Sequence, residues 1–106
     1  LFEFEQINKL LQQKVHETVF EINLNALINN LNYYRSLLKP ETMVMAMVKA
    51  FSYGSGSFEI ANVLQYHQVN YLAVAYADEG VELRKSGINL PIMVMNPEAY
   101  AFDTMI

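Results

Sequence analysis

The sequence predicts an α/β fold with a parallel sheet, and its apolar patterning carries that prediction. Apolar runs at 43–48, 71–76 and 92–95 alternate with amphipathic stretches of helical spacing. Uninterrupted apolar runs are typical of parallel strands that are covered on both faces, and repeats of this kind build βαβ units. A closed (β/α)8 TIM-type barrel needs about 250 residues. The chain has 106 residues, so it amounts to a barrel fragment of three βα units or to a small open sheet.

The composition excludes several classes of protein and indicates that part of the surface is covered. The length fits one domain, and 53% of the residues are apolar while 17% are charged, so we expect a larger whole or a partner to cover part of the surface. A net charge of −4 with seven scattered basic residues leaves no basic patch, and nucleic-acid binding is not expected. No apolar run approaches the roughly 18 to 20 residues of a membrane span.

The sequence gives few indications of metal binding or of cellular compartment. The chain has no cysteine, which excludes disulfides and thiolate metal sites, and His16 and His67 lack the spacing of metal ligands. No basic segment leads into an apolar one, as it would in a signal peptide. The sequence begins at Leu1 and not at a methionine, which suggests a piece of a longer protein, and the cytoplasm is the expected location.

Three elements are expected ahead of the first apolar run. Residues 1–15 carry a helical stripe of apolar side chains, which predicts a linker helix within residues 1–17. Residues 18–22 are rich in β-branched and aromatic side chains, which predicts a short strand. Asn23 is expected to cap a helix that ends before Pro40. We therefore divide the chain into a linker helix at 1–17 and a partial α/β domain at 18–106.

A lysine stands at the end of the first predicted strand. Lys49 directly follows the apolar run at 43–48, and in parallel α/β architectures the carboxyl ends of the strands face the binding site. A poorly hydrated amine loses its proton readily and can attack a carbonyl to form an imine. The alternative is a lysine whose stem lies on the core while its head reaches water. Position alone favours this second interpretation.

A glycine-containing loop follows that lysine. Tyr53 precedes Gly54-Ser55-Gly56, and Ser57 opens the next predicted helix. Two glycines let backbone amides approach an anion, and a helix start adds a positive dipole end. A phenol can also donate a hydrogen bond to a phosphate oxygen. Most such loops only turn the chain, but together with Lys49 this loop predicts a site for a phosphorylated aldehyde, with pyridoxal 5′-phosphate as the candidate cofactor.

The second strand–helix unit has clear helix start and stop signals. The strand at 71–76 leads to a short helix, which we expect Asp78 to cap and Gly87 to close. Glu79 and Glu82 are interpreted as solvated helix surface. An acidic pair for catalysis is therefore not predicted here.

The third strand, at 92–95, leads to Asn96-Pro97. Proline is favoured at the first position of a helix, so another helix is expected to begin there. The six methionines of the chain are interpreted first as core filler.

Four segments together resemble the N-terminal part of bacterial alanine racemase: VFEINLNAL (19–27), MAMVKAFSYGSG (45–56), YLAVAYADEGVELRKSGI (71–88) and PIMVMNPE (91–98). They follow the family's order and spacing, and V-K-A-x-x-Y-G-x-G after a strand is fairly specific to that family. More narrowly, the sequence is similar to the racemase half of a bacterial fusion. In that fusion the racemase follows a UDP-N-acetylmuramoyl-tripeptide:D-alanyl-D-alanine ligase, and the helix at 1–17 would join the two halves.

The resemblance implies a (β/α)8 barrel followed by a β-rich domain, assembled as a head-to-tail homodimer. It implies a pyridoxal-phosphate enzyme that interconverts L- and D-alanine for peptidoglycan synthesis. Lys49 would be the Schiff-base lysine and the base for one face of the alanine Cα, and Tyr53 would bind the cofactor phosphate. Met47 and Met95 would help to wall the pocket, and the strand at 18–22 would belong with the β-rich domain.

The sequence departs from the family pattern in the loop. Phe51-Ser52 replaces the usual Asn/Asp-Ala, and Ser55 stands where a histidine is common, so secondary contacts change while Lys49 and Tyr53 stay. In the family, the base for the opposite Cα face is a tyrosine from the partner's C-terminal domain, and an arginine beside the pyridine nitrogen comes from a later strand. Because racemisation needs proton transfer on both faces, we expect little or no activity from these 106 residues alone.

Two alternatives stay open. Another pyridoxal-phosphate barrel protein, such as an amino-acid decarboxylase or a cofactor carrier, also places a lysine after its first strand. Such proteins lack the combination of VKAxxYGxG with LAVAxxDEgxxLR. The other alternative is a non-catalytic α/β segment that self-associates through unpaired strand edges, with Lys49 a surface lysine.

Overall fold

A computed structural model of the chain confirms the α/β class. It describes residues 18, 19, 21–53 and 56–106, apart from the side chains at 51, 53 and 57. Three parallel strands form one sheet in the order β1-β2-β3. The linker helix predicted at 1–17 lies outside the described residues.

The helices and strands alternate along the chain as predicted. Their bounds are α1 Leu24–Ser36, β1 Met45–Met47, α2 Lys49–Tyr53, α3 Ser57–Tyr66, β2 Tyr71–Val74, α4 Ala77–Lys85, β3 Ile92–Val94, a 3-10 turn at Ala99–Ala101, and α5 Phe102–Met105. Each strand is shorter than the apolar run that predicted it. Within the described ranges, no helix combines the length and the apolar character that crossing a membrane would require.

The strands pair in the order in which they occur in the sequence. Met45 of β1 lies opposite Tyr71 of β2, and Leu72 of β2 lies opposite Ile92 of β3. Since the pairing is parallel, the carboxyl ends of all three strands meet at one edge of the sheet. The segments that follow the strands are therefore brought together there.

One face of the sheet packs against the helices. The core combines strand residues from that face with apolar residues of α1, α3 and α4, and its members include Leu31, Val48, Ile60, Leu64, Leu72, Val74 and Leu83. Alternate strand residues point to the opposite face. We call this opposite side the methionine face and define it by Met43, Met45, Met47, Met93 and Met95, of which all but the half-buried Met47 are exposed.

The expectation that the strands are covered on both faces is therefore not met within the described residues. Met45 and Met93 are 45% and 48% exposed although both lie inside strands. The helices cover one side, and the described residues supply no second layer for the other. Apolar side chains on both faces had predicted that layer.

The ends of the helices explain why they stop and start where they do. Asn23 caps α1 as predicted, since its Oδ1 accepts a 3.1 Å hydrogen bond from the Ala26 amide. At their C-terminal ends, α3 and α4 share the same left-handed cap, which we call the joint. Gln68 and Gly87 adopt positive φ values of 62° and 90°, and each following residue donates its amide over 3.1 Å to a carbonyl in the last turn of the helix.

Three predicted boundaries are corrected. Residues 18–22 form no strand at the described positions, and Val19 is 65% exposed, because no strand among the described residues pairs with them. The helix α4 begins at Ala77, so Asp78 is not its cap. Pro97 does not open a helix, because the Asn96 amide directly before it donates to the Ala75 carbonyl over 2.8 Å, and the next helical turn begins only at Ala99.

Candidate functional site

The candidate site lies at the carboxyl ends of β1 and β2. Lys49 is half-buried and is the first residue of α2. Val48, directly before it, is 2% exposed and donates its amide to the Ala73 carbonyl over 2.8 Å. The backbone that leads into Lys49 is thus fixed by the sheet. The predicted position of this lysine at a strand end is confirmed, and its chemical role stays a prediction.

The backbone immediately after the lysine is unusual. Ala50 and Ser52 have φ values of 51° and 55°, in the left-handed region that residues with a Cβ seldom occupy. Such conformations persist where surrounding contacts enforce them, and they cluster at functional sites. The turn after Lys49 is therefore held in place by its neighbours.

Glu79 supplies one of those contacts. Its Oε2 accepts a 2.7 Å hydrogen bond from the Ala50 amide, and its Oε1 accepts 3.0 Å hydrogen bonds from the amides of Ala75 and Tyr76. The side chain is half-buried. The interpretation of Glu79 as solvated helix surface is therefore wrong, because its carboxylate joins the residue after Lys49 to the end of β2.

A cavity of about 450 Å³ opens beside these residues. Lys49 and Ala50 line one wall, and Ala75, Tyr76 and Glu79 line another. Small-molecule sites commonly have volumes of about 300–1,000 Å³ and combine apolar walls with a few polar groups. This cavity has the size and composition for a small ligand within reach of a primary amine.

Ser52 offers a further polar group close to the lysine. It is 7% exposed, and its Oγ has no hydrogen-bond partner among the described residues. Buried hydroxyl groups almost always have a partner, but Ser52 is not among the residues that line the cavity. The sequence marked Ser52 only as a departure from the family pattern.

The structure describes the other predicted site residues only in part. The backbone of Tyr53 ends α2, but its side chain lies outside the described residues, as do Gly54 and Ser55. Gly56, with φ 94°, directly precedes α3, so the expected helix start behind the loop is present. Met47 and Met95 belong to the methionine face and are not among the residues that line the cavity.

Known proteins resemble this chain along most of its length. Residues 22–105 match the family described as alanine racemase, N-terminal domain. The chain is 42% identical over 81 residues to a serine/alanine racemase of Enterococcus gallinarum, a match that covers 76% of this chain and 12% of that protein. It is 43% identical over 79 residues to alanine racemase 2 of Bacillus subtilis (strain 168), with 74% and 20% covered.

Solved structures agree with the sequence relatives. Alanine racemase of Clostridium difficile 630 superposes with a TM-score of 0.74 and 38% identity, covering 80% of this chain and 24% of that one. Alanine racemase of Bacillus anthracis with bound L-Ala-P gives 0.71 and 26% identity, covering 83% and 26%.

The matched region corresponds to the start of the TIM-barrel-type domain of those enzymes. The chain spans only 12% to 26% of the length of the four relatives named above. Within that span, the family match runs from residue 22 to residue 105 and takes in the sheet, Lys49 and Glu79. The chain therefore belongs to the alanine racemase N-terminal domain family.

Proposed function

We propose that the chain is the N-terminal part of a pyridoxal-phosphate-dependent alanine racemase in which Lys49 carries the cofactor. The observation that supports this most directly is the position of Lys49, at the end of β1 and on the wall of a cavity of about 450 Å³. Family membership supports the same reaction class.

The residues around the cavity fit such a cofactor. Lys49 brings a primary amine to its wall, beside the apolar side chains of Val48 and Leu83. Tyr53 and the start of α3 at Ser57 are the groups that would hold the phosphate. Pyridoxal phosphate, when bound, supplies an aldehyde for amines and a ring that accepts an electron pair from Cα.

The work assigned to this chain is proton transfer on one face of the substrate. In this proposal the Lys49 amine removes or returns the proton at the alanine Cα from its own side. Racemisation also needs a base on the opposite side, and the family resemblance assigns that base to a tyrosine of the partner subunit. The 106 residues alone are therefore expected to be inactive.

Alanine is the proposed substrate, and one relative is a serine/alanine racemase. A comparison of alanine, serine and decarboxylation activity in a full-length protein that contains this chain separates the racemase from another pyridoxal-phosphate barrel enzyme. Racemisation of alanine is the expected result. Release of carbon dioxide without racemisation would replace the proposal with a decarboxylase.

Several finer features rest on the family resemblance and stay predictions. They are the supply of D-alanine for peptidoglycan, the homodimer and the fusion to a muramoyl-tripeptide ligase. The cytoplasmic location, expected from the sequence pattern, also stays a prediction. The division into a linker helix at 1–17 and a partial racemase barrel at 18–106 is likewise a prediction.

The experiment for Lys49 is addition of pyridoxal phosphate, reduction with borohydride and mapping of labelled peptides. We expect the label at Lys49, its loss in Lys49→Arg, and no change in Lys85→Arg, which alters an exposed lysine at the end of α4. Equal labelling of Lys9, Lys14, Lys39, Lys49 and Lys85 would contradict the proposed role.

A further inference from the structure

The carboxylate of Glu79 connects two βα units at the edge of the sheet where Lys49 lies. Glu79 belongs to the first turn of α4, after β2, whereas Ala50 follows β1. Its contact with the Ala50 amide, at 2.7 Å, is shorter than its two 3.0 Å contacts within its own unit. A capping role for α4 explains the bonds to Ala75 and Tyr76 but not the bond to Ala50.

The bond to Ala50 acts directly on the backbone of Lys49. The Ala50 nitrogen belongs to the peptide group that Lys49 begins, and the Val48 amide on the other side is held by the Ala73 carbonyl at 2.8 Å. Lys49 is thus fixed on both sides by groups of β2 and α4. With Ala50 at φ 51°, the turn has a conformation that needs such a restraint.

We propose that Glu79 is a positioning residue that, through the Ala50 amide, sets the direction in which the Lys49 side chain leaves the backbone toward the cofactor. This inference rests on the proposed role of Lys49 as the cofactor lysine. It assigns to α4 a share in preparing the site of β1, and it requires no contact between Glu79 and the cofactor itself.

The division of bonds between the two carboxylate oxygens makes a selective variant possible. Oε1 accepts from Ala75 and Tyr76, and Oε2 accepts from Ala50. In Glu79→Gln the one remaining oxygen can keep the two bonds that cap α4. The amide NH₂ then meets the Ala50 N–H, donor against donor, so this variant removes the link to Lys49 while retaining the cap.

The test measures borohydride-trapped labelling of Lys49 in the 106-residue chain at limiting pyridoxal phosphate. We expect Glu79→Gln to reduce labelling at Lys49 by about tenfold, as the loss of a charge-assisted hydrogen bond would. The matched control is Glu41→Gln. Glu41 is exposed and precedes β1 at the opposite end of the sheet, so this variant should label like the unaltered chain.

Amide hydrogen exchange supplies a second measurement that does not depend on the cofactor. The Ala50 amide should exchange slowly in the unaltered chain and faster in Glu79→Gln, while the Tyr76 amide should change little. Exchange of the Ala50 amide at the rate of an unstructured peptide in the unaltered chain would overturn the proposal, whether or not any variant folds.

The outcomes separate this inference from the proposed function. If Lys49 of the unaltered chain takes the label and Glu79→Gln takes it equally, the positioning role is wrong and the role of Lys49 stands. If Lys49 of the unaltered chain takes no label, the proposed function fails and the positioning role fails with it. A drop in labelling shared by every lysine would reflect general unfolding and would also overturn the inference.

Discussion

Tyr100, in the 3-10 turn that follows β3, has a shifted pKa that a titration can follow. A side-chain hydrogen bond to Glu98, and then the negative charge of the same carboxylate, raise the pKa of Tyr100 above its ordinary value of 10.0. Both effects favour the neutral phenol. The folded state therefore keeps this proton to higher pH than the unfolded chain does, so the stabilising contribution is lost as the pH rises through the raised pKa.

We expect Glu98→Gln to lower the pKa of Tyr100, because the charge is removed and the remaining hydrogen bond is weaker. An ultraviolet titration of tyrosinate formation measures the change, and Tyr100→Phe identifies which part of the curve belongs to this residue. A Tyr100 titration that is identical in the unaltered chain and in Glu98→Gln would contradict the assignment.

Leu72 is the residue where the core is most sensitive. It lies in the central strand and is fully buried. Leu72→Ala should lower the free energy of unfolding by roughly 2–5 kcal/mol, since it removes buried methyl groups and leaves a cavity. Urea unfolding measures this, with Met45→Ala on the exposed methionine face as the comparison. A loss of similar size in both variants would show that the core is not centred where the structure has it.

The helices α3 and α4 end with the same joint, so opposite substitutions at Gln68 and Gly87 should have opposite effects on stability. Gln68 pays a conformational cost at φ 62°, whereas Gly87 occupies the equivalent position at φ 90° without one. Gln68→Gly should stabilise the chain by about 0.5–1 kcal/mol, the relief of left-handed strain less the entropy that glycine adds to the unfolded state.

Gly87→Gln should have the opposite effect and cost about 1 kcal/mol. A Cβ at Gly87 meets no atom within 4 Å, so the cost is conformational and not steric. Thermal unfolding of the two single variants tests the pair. Changes of the same sign would show that the two joints are not equivalent.

For the helices and strands, features that depend on neighbouring residues could be predicted from the sequence, whereas features that depend on contacts between distant residues could not. The helix cap at Asn23 and the helix end at Gly87 could be predicted because a cap and a left-handed helix end depend only on residues close by in the sequence. Glu79 was misread because its decisive partner, Ala50, comes from the preceding unit. The helix start at Pro97 was wrong because the Asn96 amide is bonded to the Ala75 carbonyl of the preceding unit, a contact between distant residues. Neither long-range contact is encoded in local spacing.

The methionine face dominates the behaviour of the whole molecule. Met43, Met45, Met93 and Met95 are each between 45% and 64% exposed, and the outer edges of β1 and β3 are unpaired within the described residues. Apolar patches and open strand edges promote association. We expect sedimentation equilibrium to show a mass that rises with concentration.

Replacement of Met45 and Met93 by glutamine should weaken that association, because it places polar groups on the face. Tyr66→Gln is the matched control, since Tyr66 is 80% exposed at the end of α3. A compact monomer at every concentration would contradict the prediction and would weaken the non-catalytic alternative.

Activity is also a property of a larger whole in this proposal. The chain spans 12% to 26% of the four related racemases named above, and proton transfer is needed on both faces of Cα. We expect no alanine racemisation from the 106 residues alone, measured by formation of D-alanine in the presence of pyridoxal phosphate. A rate within about tenfold of a full-length racemase would show that a second base is already present, given the usual worth of one such group.

The sheet order has a consequence for how the chain is made. β2 pairs with β1 and β3 pairs with β2, so each of these two strands leaves the ribosome after the edge that it requires has been made. Synthesis and assembly can then proceed in one direction, with each finished unit serving as the template for the next.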